Sequence, residues 1–384
     1  MKQSGPRGAA PLVLRSPLHR TICEQLRAAI LGRQYQHGDK LPSEAMLCEQ
    51  FHASRITIAK ALQTLQMDGL IVRRAGSGTY IHLPAPNASH QFGLLIPELG
   101  STEIFEPICQ GIMRSPQART HSLVWGHAIV DESGRQETAA ELCRQFIAQK
   151  VSGVFFAPLE YADEKDLKNQ TIVAELRQAN IPIVLLDRCY KTYPLRSNLD
   201  RVGIDNHRAS FMLTEHLWNQ GARRIVFVAK KRSATTIVER ISGYYFALRE
   251  CGSKYSGNVF FGDAEDAEFV QHIVRREKPD AVVCGNDLTA ARLMRSLIGL
   301  SVRIPEQMRL VGFDDVSYAK FLPVPLTTIH QNCQQIGEAA IELMLDRMEN
   351  PTRPGIDLLV PFELVVRESC GTLKAENFAA NRGG

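Results

Sequence analysis

Polar residues with hydrogen-bonding side chains stand directly after three apolar runs in the second half of the chain. The runs IPIVLL, DAVVCG and MRLVGF are followed by Asp187-Arg188, Asn286-Asp287 and Asp314-Asp315. Carboxylate, amide and guanidinium groups make several hydrogen bonds at once, which suits a ligand that carries many hydroxyl groups. Open α/β sheets bind ligands beyond the carboxyl ends of their strands. Asp187, Asn286 and Asp314 are therefore candidate ligand-binding residues if these runs are strands.

Each of these residues also has a local explanation that the sequence leaves open. An aspartate at the end of a strand often caps the next helix, and Asp315 is an alternative to Asp314 as the ligand-binding residue. Arg188 has Asp187 beside it as an ion-pair partner. Asp287 is expected to cap the helix that follows it rather than to reach a ligand.

Neighbouring carboxylates also raise the possibility of an enzyme. Asp314 and Asp315 could be the acid and its partner in sugar hydrolysis, but adjacent residues at the end of a strand point to opposite sides. The sequence has no GxxxxGK[ST] phosphate loop, no HExxH motif and no GxSxG elbow. We therefore expect a binding protein with no catalytic residues and no cofactor.

Composition and cysteine pattern limit the class of protein further. The 384-residue chain has 44% hydrophobic and 22% charged residues, which is typical of a folded globular protein. Nine cysteines are scattered singly without a CxxC pair, which predicts reduced thiols and no metal site. No apolar run approaches the ~20 residues of a membrane helix, and the run at 11–14 is too short for a secretory signal. We expect a cytoplasmic protein with no membrane partner.

Positive charge is concentrated near the N-terminus. Residues 1–83 carry eleven Lys or Arg and five Asp or Glu, whereas the remaining 301 residues carry 34 and 36. A basic surface in this N-terminal fifth indicates a partner that is anionic, either nucleic acid or an anionic membrane.

The elements that would position these basic residues can be read from the pattern. Apolar residues at 18, 22, 26 and 30 predict a helix that ends at Gly32. Ser43 is placed to cap a second, short helix, and Ser54 a third helix that ends at Gly69. The run LIVRR, the turn AGSG and the run TYI then predict a β-hairpin. Three helices followed by a two-stranded wing form a winged helix-turn-helix.

The residues of this region resemble the winged-helix domain of the gluconate-repressor (GntR) family of bacterial regulators. The resemblance is carried by LPSE at 41–44, SRITIAKAL at 54–62 and DGLIVRRAGSGTYI at 68–81. It implies that the helix from Ser54 lies in the major groove of double-stranded DNA and that the hairpin tip enters the flanking minor groove.

Eleven residues are candidate DNA contacts on this basis. They are Ser43, Glu44, Ser54, Arg55, Thr57, Lys60, Arg73, Arg74, Gly76, Ser77 and Gly78. The chain departs from the family at Ala45 and Ala59, where arginines are usual, so two arginine contacts to guanine are lost. The operator is therefore expected to differ from the usual family sequence.

From Gln91 onwards, apolar strand-like runs alternate with helical patterns, which predicts an α/β fold with parallel sheets covered by helices. Nearly 280 residues exceed one such sheet, so two lobes are expected. The predicted boundaries are a flexible N-terminus at 1–15, the winged domain at 16–83, a linker at 84–90, the two-lobed domain at 91–371 and a flexible tail at 372–384. We assign lobe 1 to about 91–189 and 327–349, and lobe 2 to about 190–326 and 355–371.

The second domain resembles the effector domain of the lactose/galactose-repressor (LacI) family and, behind it, periplasmic sugar-binding proteins. The segments that carry the resemblance are IPIVLLDR, VGIDN, SATTIVERISGYYFAL, DAVVCGNDLTAARLM, IPEQMRLVGFDD and PLTTIHQ. It implies two Rossmann-like lobes of the type I periplasmic-binding-protein fold, three chain crossings and a ligand in the cleft between the lobes. Carried over residue by residue, the effector-binding positions are Phe105, Asp187, Arg188, Arg240, Asn286, Asp314 and Gln331.

A GntR-type head joined to a LacI-type body is similar in architecture to arabinose repressors. The resemblance implies a homodimeric, sugar-responsive transcriptional repressor that binds a palindromic operator and is released by a pentose or hexose effector. The residues leave three alternatives open, namely a non-sugar effector, an effector that promotes DNA binding, and a regulator without a ligand.

Overall fold

The computed structural model describes residues 18–32, 34–35, 38–67, 69–74, 77–81, 89–96, 103–125, 135–162 and 164–372. The chain divides into two compact units, Met1–Ala88 and Ser89–Gly384. The described residues up to 81 are called the head below, and those from 89 to 372 the body. The predicted flexible N-terminus, most of the predicted linker and residues 373–384 of the predicted tail lie outside the described residues.

The head has the predicted three helices and one hairpin. The elements are α1 (Leu18–Leu31), α2 (Glu44–Phe51), α3 (Arg55–Met67), β1 (Ile71–Arg74) and β2 (Gly78–Ile81). The two strands pair antiparallel, with Ile71 opposite Ile81. One face of each helix supplies the core, which includes Ile22, Leu47, Ile58 and Leu62. The winged helix-turn-helix is thus confirmed.

The body contains two six-stranded sheets. The first has the order β13-β7-β6-β5-β3-β4 and is parallel throughout. Its strands are β3 (Gln91–Leu95), β4 (Ser122–Val124), β5 (Gly153–Phe156), β6 (Ile183–Leu186), β7 (Asp200–Gly203) and β13 (Asp357–Leu359). Both faces of β5, β6 and β7 are buried, as expected for strands with helices on either side.

The second sheet has the order β14-β12-β11-β10-β8-β9, and only β14 among these strands runs antiparallel to its neighbour. Its strands are β8 (Ile225–Ala229), β9 (Val259–Phe261), β10 (Ala281–Cys284), β11 (Arg309–Asp314), β12 (Thr327–Gln331) and β14 (Phe362–Val365). The two sheets confirm the predicted two-lobed α/β fold.

Eight helices of the described body cover these sheets. They are α4 (Phe105–Arg114), α5 (Arg135–Ala148), α6 (Lys165–Gln178), α7 (Asn206–Asn219), α8 (Thr235–Glu250), α9 (Ala267–Glu277), α10 (Asp287–Gly299) and α11 (Cys333–Glu349). The closest pairs are α7 with α8 and α4 with α11. A Cβ at Gly111 of α4 or at Gly337 of α11 would meet the backbone of the facing helix. Glycine is therefore required for this approach.

The chain crosses between the lobes three times. It leaves the first sheet after Gly203, because α7 packs on the strands of the second sheet. It returns after Gln331, where α11 packs on β6 and β7, and crosses again between β13 and β14. We define lobe 1 as 89–203 and 333–359, and lobe 2 as 206–331 and 362–372.

These lobes differ from the predicted boundaries in three places. The strand at 200–203 was expected in lobe 2 but pairs with β6, with Asp200 beside Val184. The strand at 327–331 was expected in lobe 1 but pairs with β11, with Ile329 beside Phe313. The strand at 357–359 was expected in lobe 2 but pairs with β7 of the first sheet. In all three cases the chain adds one more strand to its current sheet before it crosses, which local sequence patterns do not reveal.

No helix among the described residues is long and apolar enough to cross a membrane. All nine cysteines are thiols.

Candidate functional site

Side-chain caps fix the start of both helices of the helix-turn-helix. Ser43 Oγ accepts from the Met46 amide at 3.3 Å, and Ser54 Oγ accepts from the Thr57 amide at 3.3 Å. Ser54 Oγ also lies 2.9 Å from Thr57 Oγ1. Such caps satisfy backbone donors that have no partner within the helix. They also place the candidate contact residues Ser54 and Thr57 side by side on the first turn of α3.

The basic candidates on α3 face solvent. Arg55 is the first residue of the helix, Lys60 lies further along it, and both side chains are exposed. An exposed arginine at the N-terminal end of the second helix of such a motif is placed to reach base edges in the major groove.

The wing connects to α2 through two of the candidate contacts. Arg73 Nη2 lies 2.8 Å from Glu44 Oε1, and both side chains are partly exposed. At the hairpin tip, Ser77 Oγ lies 2.6 Å from the hydroxyl of Tyr80. Gly78 has φ +127°, a conformation that favours glycine. The other two tip candidates, Gly76 and the Arg74 side chain, lie outside the described residues.

A cleft of about 680 Å³ lies between the lobes of the body. Six of the seven predicted effector residues border it: Phe105, Asp187, Arg188, Arg240, Asn286 and Asp314. The seventh, Gln331, borders a neighbouring cavity of about 670 Å³ and donates through Nε2 to Asp314 Oδ1 at 2.7 Å. The structure therefore brings all seven residues to one region.

The lobe 1 side of the cleft carries an aspartate and an arginine. Asp187 is buried with φ +65°, and its Oδ1 has no hydrogen-bond partner among the described residues. Burial raises the pKa of Asp187, and the nearby Arg188 and Arg240 partly offset this. Arg188 forms an ion pair with Glu160 rather than with Asp187. Asp187 thus keeps a buried acceptor atom for a ligand.

Phe105 differs from the other predicted effector-binding residues. It begins α4, and its side chain is fully buried together with Ile108 and Ile112 on the apolar face of that helix. The Arg188 guanidinium lies 5.1 Å from the ring centroid. The ring therefore supports Arg188, and no surface of it is exposed for a sugar to stack on.

The lobe 2 side centres on Arg240 of α8. Its Nε donates to Asn206 Oδ1 at 2.7 Å and its Nη1 to the Gly285 carbonyl at 2.6 Å. Its Nη2 lies 3.7 Å from Asp314 Oδ1, and the guanidinium sits 4.3 Å from the Phe313 ring centroid. These contacts hold the guanidinium in one orientation at the wall of the cleft.

Asp314 ends strand β11 with φ +111°. Burial raises the pKa of its carboxyl to about 7, against the lowering effect of Arg240. The adjacent Asp315 contacts His330 Nδ1 at 3.0 Å and Arg367 Nη2 at 2.6 Å. Of the two aspartates, Asp314 borders the cleft between the lobes, whereas both border the neighbouring cavity.

The cap of α10 is Asn286, not Asp287 as expected. Asn286 Oδ1 accepts from the amide of Thr289 at 2.9 Å and from its hydroxyl at 2.7 Å. Asp287 lies in the first turn of the helix, where its buried carboxylate accepts from the Val316 amide and the Thr328 hydroxyl. Because a residue before the helix has the geometry of a cap, the first of the two polar residues takes that role.

Three residues of these sites gave no clear signal in the sequence. Glu160 lines the cleft four residues after β5, and Tyr318 lines it from the segment after β11. Ile56 is 72% exposed on the first turn of α3 although it is apolar. Apolar side chains in the major groove contact the methyl group of thymine. Glu160 and Tyr318 stand neither at a strand end nor in a motif with a known spacing, and Ile56 lies within the SRITIAKAL segment, where its apolar side chain did not suggest a DNA contact.

Comparison with known families agrees with both parts of the fold. Residues 18–81 match the family described as bacterial regulatory proteins, gntR family, and residues 214–370 match the periplasmic binding protein-like domain. The head therefore matches the gntR family, and the larger part of the body matches a periplasmic binding protein-like domain. Among the described residues, no group of three or more His, Cys, Asp or Glu is arranged to hold a metal ion.

Relatives with the same two parts or with the same body are transcriptional regulators. The arabinose metabolism transcriptional repressor of Geobacillus stearothermophilus is 26% identical over 92% of this chain and 97% of its own length. The ribose operon repressor of Escherichia coli K12 is 25% identical over 69% of this chain and 78% of its own. A ribose-bound LacI family regulator from Enterococcus faecium superposes with a TM-score of 0.58 at 21% identity, over 73% of this chain and 98% of its own. The last comparison concerns the fold alone.

Proposed function

We propose that this chain is a sequence-specific DNA-binding repressor of sugar catabolic or uptake genes, released from its operator by a sugar bound in the cleft. One observation carries the proposal: buried hydrogen-bonding groups from both lobes meet at the cleft of a chain that also carries a winged helix-turn-helix. Asp187 of lobe 1 and Arg240 of lobe 2 are the main buried groups, and the partly buried Asp314 of lobe 2 lies beside Arg240. A ligand that bridges them must hold the two lobes together.

The names of the relatives support this class of function. By their names, one relative represses genes of arabinose metabolism and another represses a ribose operon, and both sugars are pentoses. A small neutral sugar also fits the chemistry of the cleft. Its hydroxyl groups donate to Asp187 and Asp314 and accept from Arg188 and Arg240, so each charged group gains a partner.

The route from sugar to DNA runs through the three crossings. A sugar that closes the lobes rotates them about these crossings, and in a homodimer this changes the spacing of the two heads. The heads would then no longer match the half-sites of a palindromic operator. By linkage, DNA must weaken sugar binding by the factor by which the sugar weakens DNA binding. This regulator would act in the cytoplasm.

We place the operator contacts of the head in three groups of residues. They are Ser43 and Glu44 at the start of α2; Ser54, Arg55, Thr57 and Lys60 around α3; and Arg73, Arg74, Gly76, Ser77 and Gly78 of the wing. Arg55 is the base-reading residue in this arrangement, since it is exposed at the start of α3. Glu44 then acts mainly through Arg73, its ion-pair partner.

A thermal-shift screen of the purified protein tests the sensor function. The ligands are pentoses, hexoses, sugar acids and sugar phosphates at equal concentration. We expect one neutral sugar to stabilise the protein by ~2.7 kcal/mol at a hundredfold excess over its Kd, and the Asp314→Ala variant not to respond. A response to no sugar, or only to a phosphorylated or acidic one, would reject the neutral-sugar assignment and leave DNA binding by the head to be judged separately.

The pH dependence of sugar binding tests the role of Asp314. Its pKa of about 7 means that the carboxylate, the form that accepts hydroxyl hydrogens and attracts Arg240, is lost as the pH falls from 8 to 6. We expect the sugar Kd to rise about tenfold over that interval. In Asp314→Asn the sugar Kd should be higher than in wild type at pH 8 and should not change with pH. Isothermal titration calorimetry at pH 6, 7 and 8 measures both. The same slope in Asp314→Asn would assign the titration to another group.

A further inference from the structure

Lobe 1 and lobe 2 are joined at the edge of the cleft by direct hydrogen bonds in addition to the three crossings. Four of these bonds have their lobe 2 partners in 232–235, at the end of the connection from β8 and in the first residue of α8. The bonds are Tyr161 N to Arg232 O at 2.8 Å, Lys165 Nζ to Ser233 O at 3.0 Å, Thr235 Oγ1 to Cys189 O at 2.8 Å and Ala234 N to Glu160 Oε2 at 3.1 Å. Opening the cleft must break these contacts.

Glu160 differs from the other members of this set because its carboxylate joins a buried cleft arginine of lobe 1 to the backbone of lobe 2. Its Oε1 forms the ion pair with Arg188 of lobe 1, and its Oε2 accepts the Ala234 amide of lobe 2. The side chains of Glu160 and Arg188 are only 7% and 5% exposed. A buried ion pair is firmly held only when each charged group has its partners, so the two contacts of Glu160 support each other.

The contact with Ala234 places the carboxylate at the start of α8. Ala234 occupies the cap position of this 16-residue helix, and no side chain of its own accepts from the helix amides. A negative charge at the N-terminus of a helix is favourable because the helix dipole is positive there. The same helix carries Arg240, the central cleft residue of lobe 2. Glu160 therefore connects the orientation of Arg188 to the position of the helix that carries Arg240.

We propose that Glu160 is a positioning residue that links sugar binding to lobe closure. A sugar bound to Arg188 fixes that guanidinium, and the guanidinium fixes Glu160 in the place where it accepts the Ala234 amide. In the open form, Glu160 loses its lobe 2 partner. This inference rests on the proposed sugar-sensor function, but the bridge itself is testable without a sugar.

Hydrogen exchange of the ligand-free protein tests the bridge. We expect Glu160→Ala to speed exchange in a peptide that covers 232–236 by about tenfold or more, because the Ala234 amide loses its acceptor and the cleft opens more often. Glu160→Gln keeps an acceptor oxygen for Ala234 and loses the ion pair, so a smaller increase is expected. The matched control is Glu164→Gln, since Glu164 is an exposed glutamate on the same loop. Unchanged exchange in Glu160→Ala would overturn the proposal.

Operator affinity with and without sugar tests the link. Fluorescence anisotropy measures the operator Kd in the absence of sugar and at saturating D-ribose, L-arabinose, D-xylose and D-glucose in turn. We expect the sugar-induced change in operator Kd, typically about 5- to 150-fold for allosteric coupling, to fall below about twofold in Glu160→Gln. The operator Kd without sugar should stay within about twofold of wild type, as should all values for Glu164→Gln.

A purely structural role would lower the thermal stability of Glu160→Gln and leave the sugar response intact, which would overturn the proposal. If Lys165→Met, which removes the bond to Ser233 and the exposed ion pair with Asp166, abolishes the response equally, the link belongs to the whole set of contacts and not to Glu160. A wild-type protein that responds to none of these sugars would contradict the proposed function. The exchange result would still decide whether Glu160 joins the lobes.

Discussion

Replacing Arg240 by alanine should abolish the response to sugar and leave operator binding intact. The guanidinium is buried, and it holds Asn206, the Gly285 carbonyl and Asp314 together at the wall of the cleft. Its loss removes donors for sugar hydroxyls and leaves Asp314 without its nearby positive charge. Hydrogen bonds to charged groups contribute about 1.5–3 kcal/mol each, so the sugar Kd should rise by about 10- to 150-fold. Titration calorimetry and operator binding in the presence of sugar measure the two effects.

The same helix supplies a matched control. Arg249 of α8 is 71% exposed and pairs only weakly with the adjacent Glu250, so Arg249→Ala should leave both sugar and operator affinity within about twofold of wild type. Circular dichroism and a melting curve show whether Arg240→Ala is folded, and Arg240→Lys keeps the charge while removing the planar fork. A folded Arg240→Ala protein with a normal sugar response would show that the ligand binds elsewhere.

Local signals predicted the parts of the head and the strand-end residues of the cleft. Ser43 and Ser54 were identified as caps because a cap depends on a hydrogen bond between a side chain and an amide three residues away. Asp187, Asn286 and Asp314 were identified because parallel strands present their carboxyl ends at one edge of a sheet. Arg240 and Gln331 needed the family resemblance, since nothing in their local sequence marks them.

Long-range pairing limited what could be predicted of the lobes. Whether the strand at 200–203 joins the first or second sheet depends on its pairing with β6 and β13, and β13 lies more than 150 residues away. Glu160 was missed for the same reason, because its partners Arg188 and Ala234 come from distant segments. Phe105 was assigned to the ligand from the family resemblance, although an aromatic residue on a first helix can face either cleft or core. The full burial of its side chain, beneath the Arg188 guanidinium, places it in the core.

Mutations in the cleft and mutations in the head should have distinguishable effects on operator binding. Variants of Asp314 or Arg240 alter the body, whose described residues form one compact unit, and variants of Arg55 alter the other unit. Cleft variants should therefore change only the operator affinity measured with sugar, while head variants should change operator affinity under all conditions. This difference distinguishes loss of the signal from loss of DNA binding.

Arg55→Ala should weaken operator recognition strongly while sugar binding is retained. Arg55 is exposed at the first position of α3, and Ala45 and Ala59 stand where family members carry further arginines. With those two contacts to guanine absent, Arg55 carries a larger share of base recognition. Loss of one bidentate contact to guanine costs ~1–3 kcal/mol, so affinity for the operator should fall ~10- to 100-fold. Anisotropy with an operator selected from random DNA by the wild-type protein measures this.

Binding to non-specific DNA distinguishes a base contact of Arg55 from a contact to the phosphate backbone. Binding of Arg55→Ala to random-sequence DNA should change much less than binding to the operator, because the phosphate contacts that dominate non-specific binding remain on Lys60 and the wing. Arg20→Ala on α1, another exposed arginine of the head, should leave the ratio of operator to random-DNA affinity unchanged. If Arg55→Ala instead weakens binding to both DNAs equally, and the slope of log affinity against log salt concentration falls by about one, Arg55 contacts phosphate. Base recognition would then fall to Thr57 and Ile56 on the same helical turn.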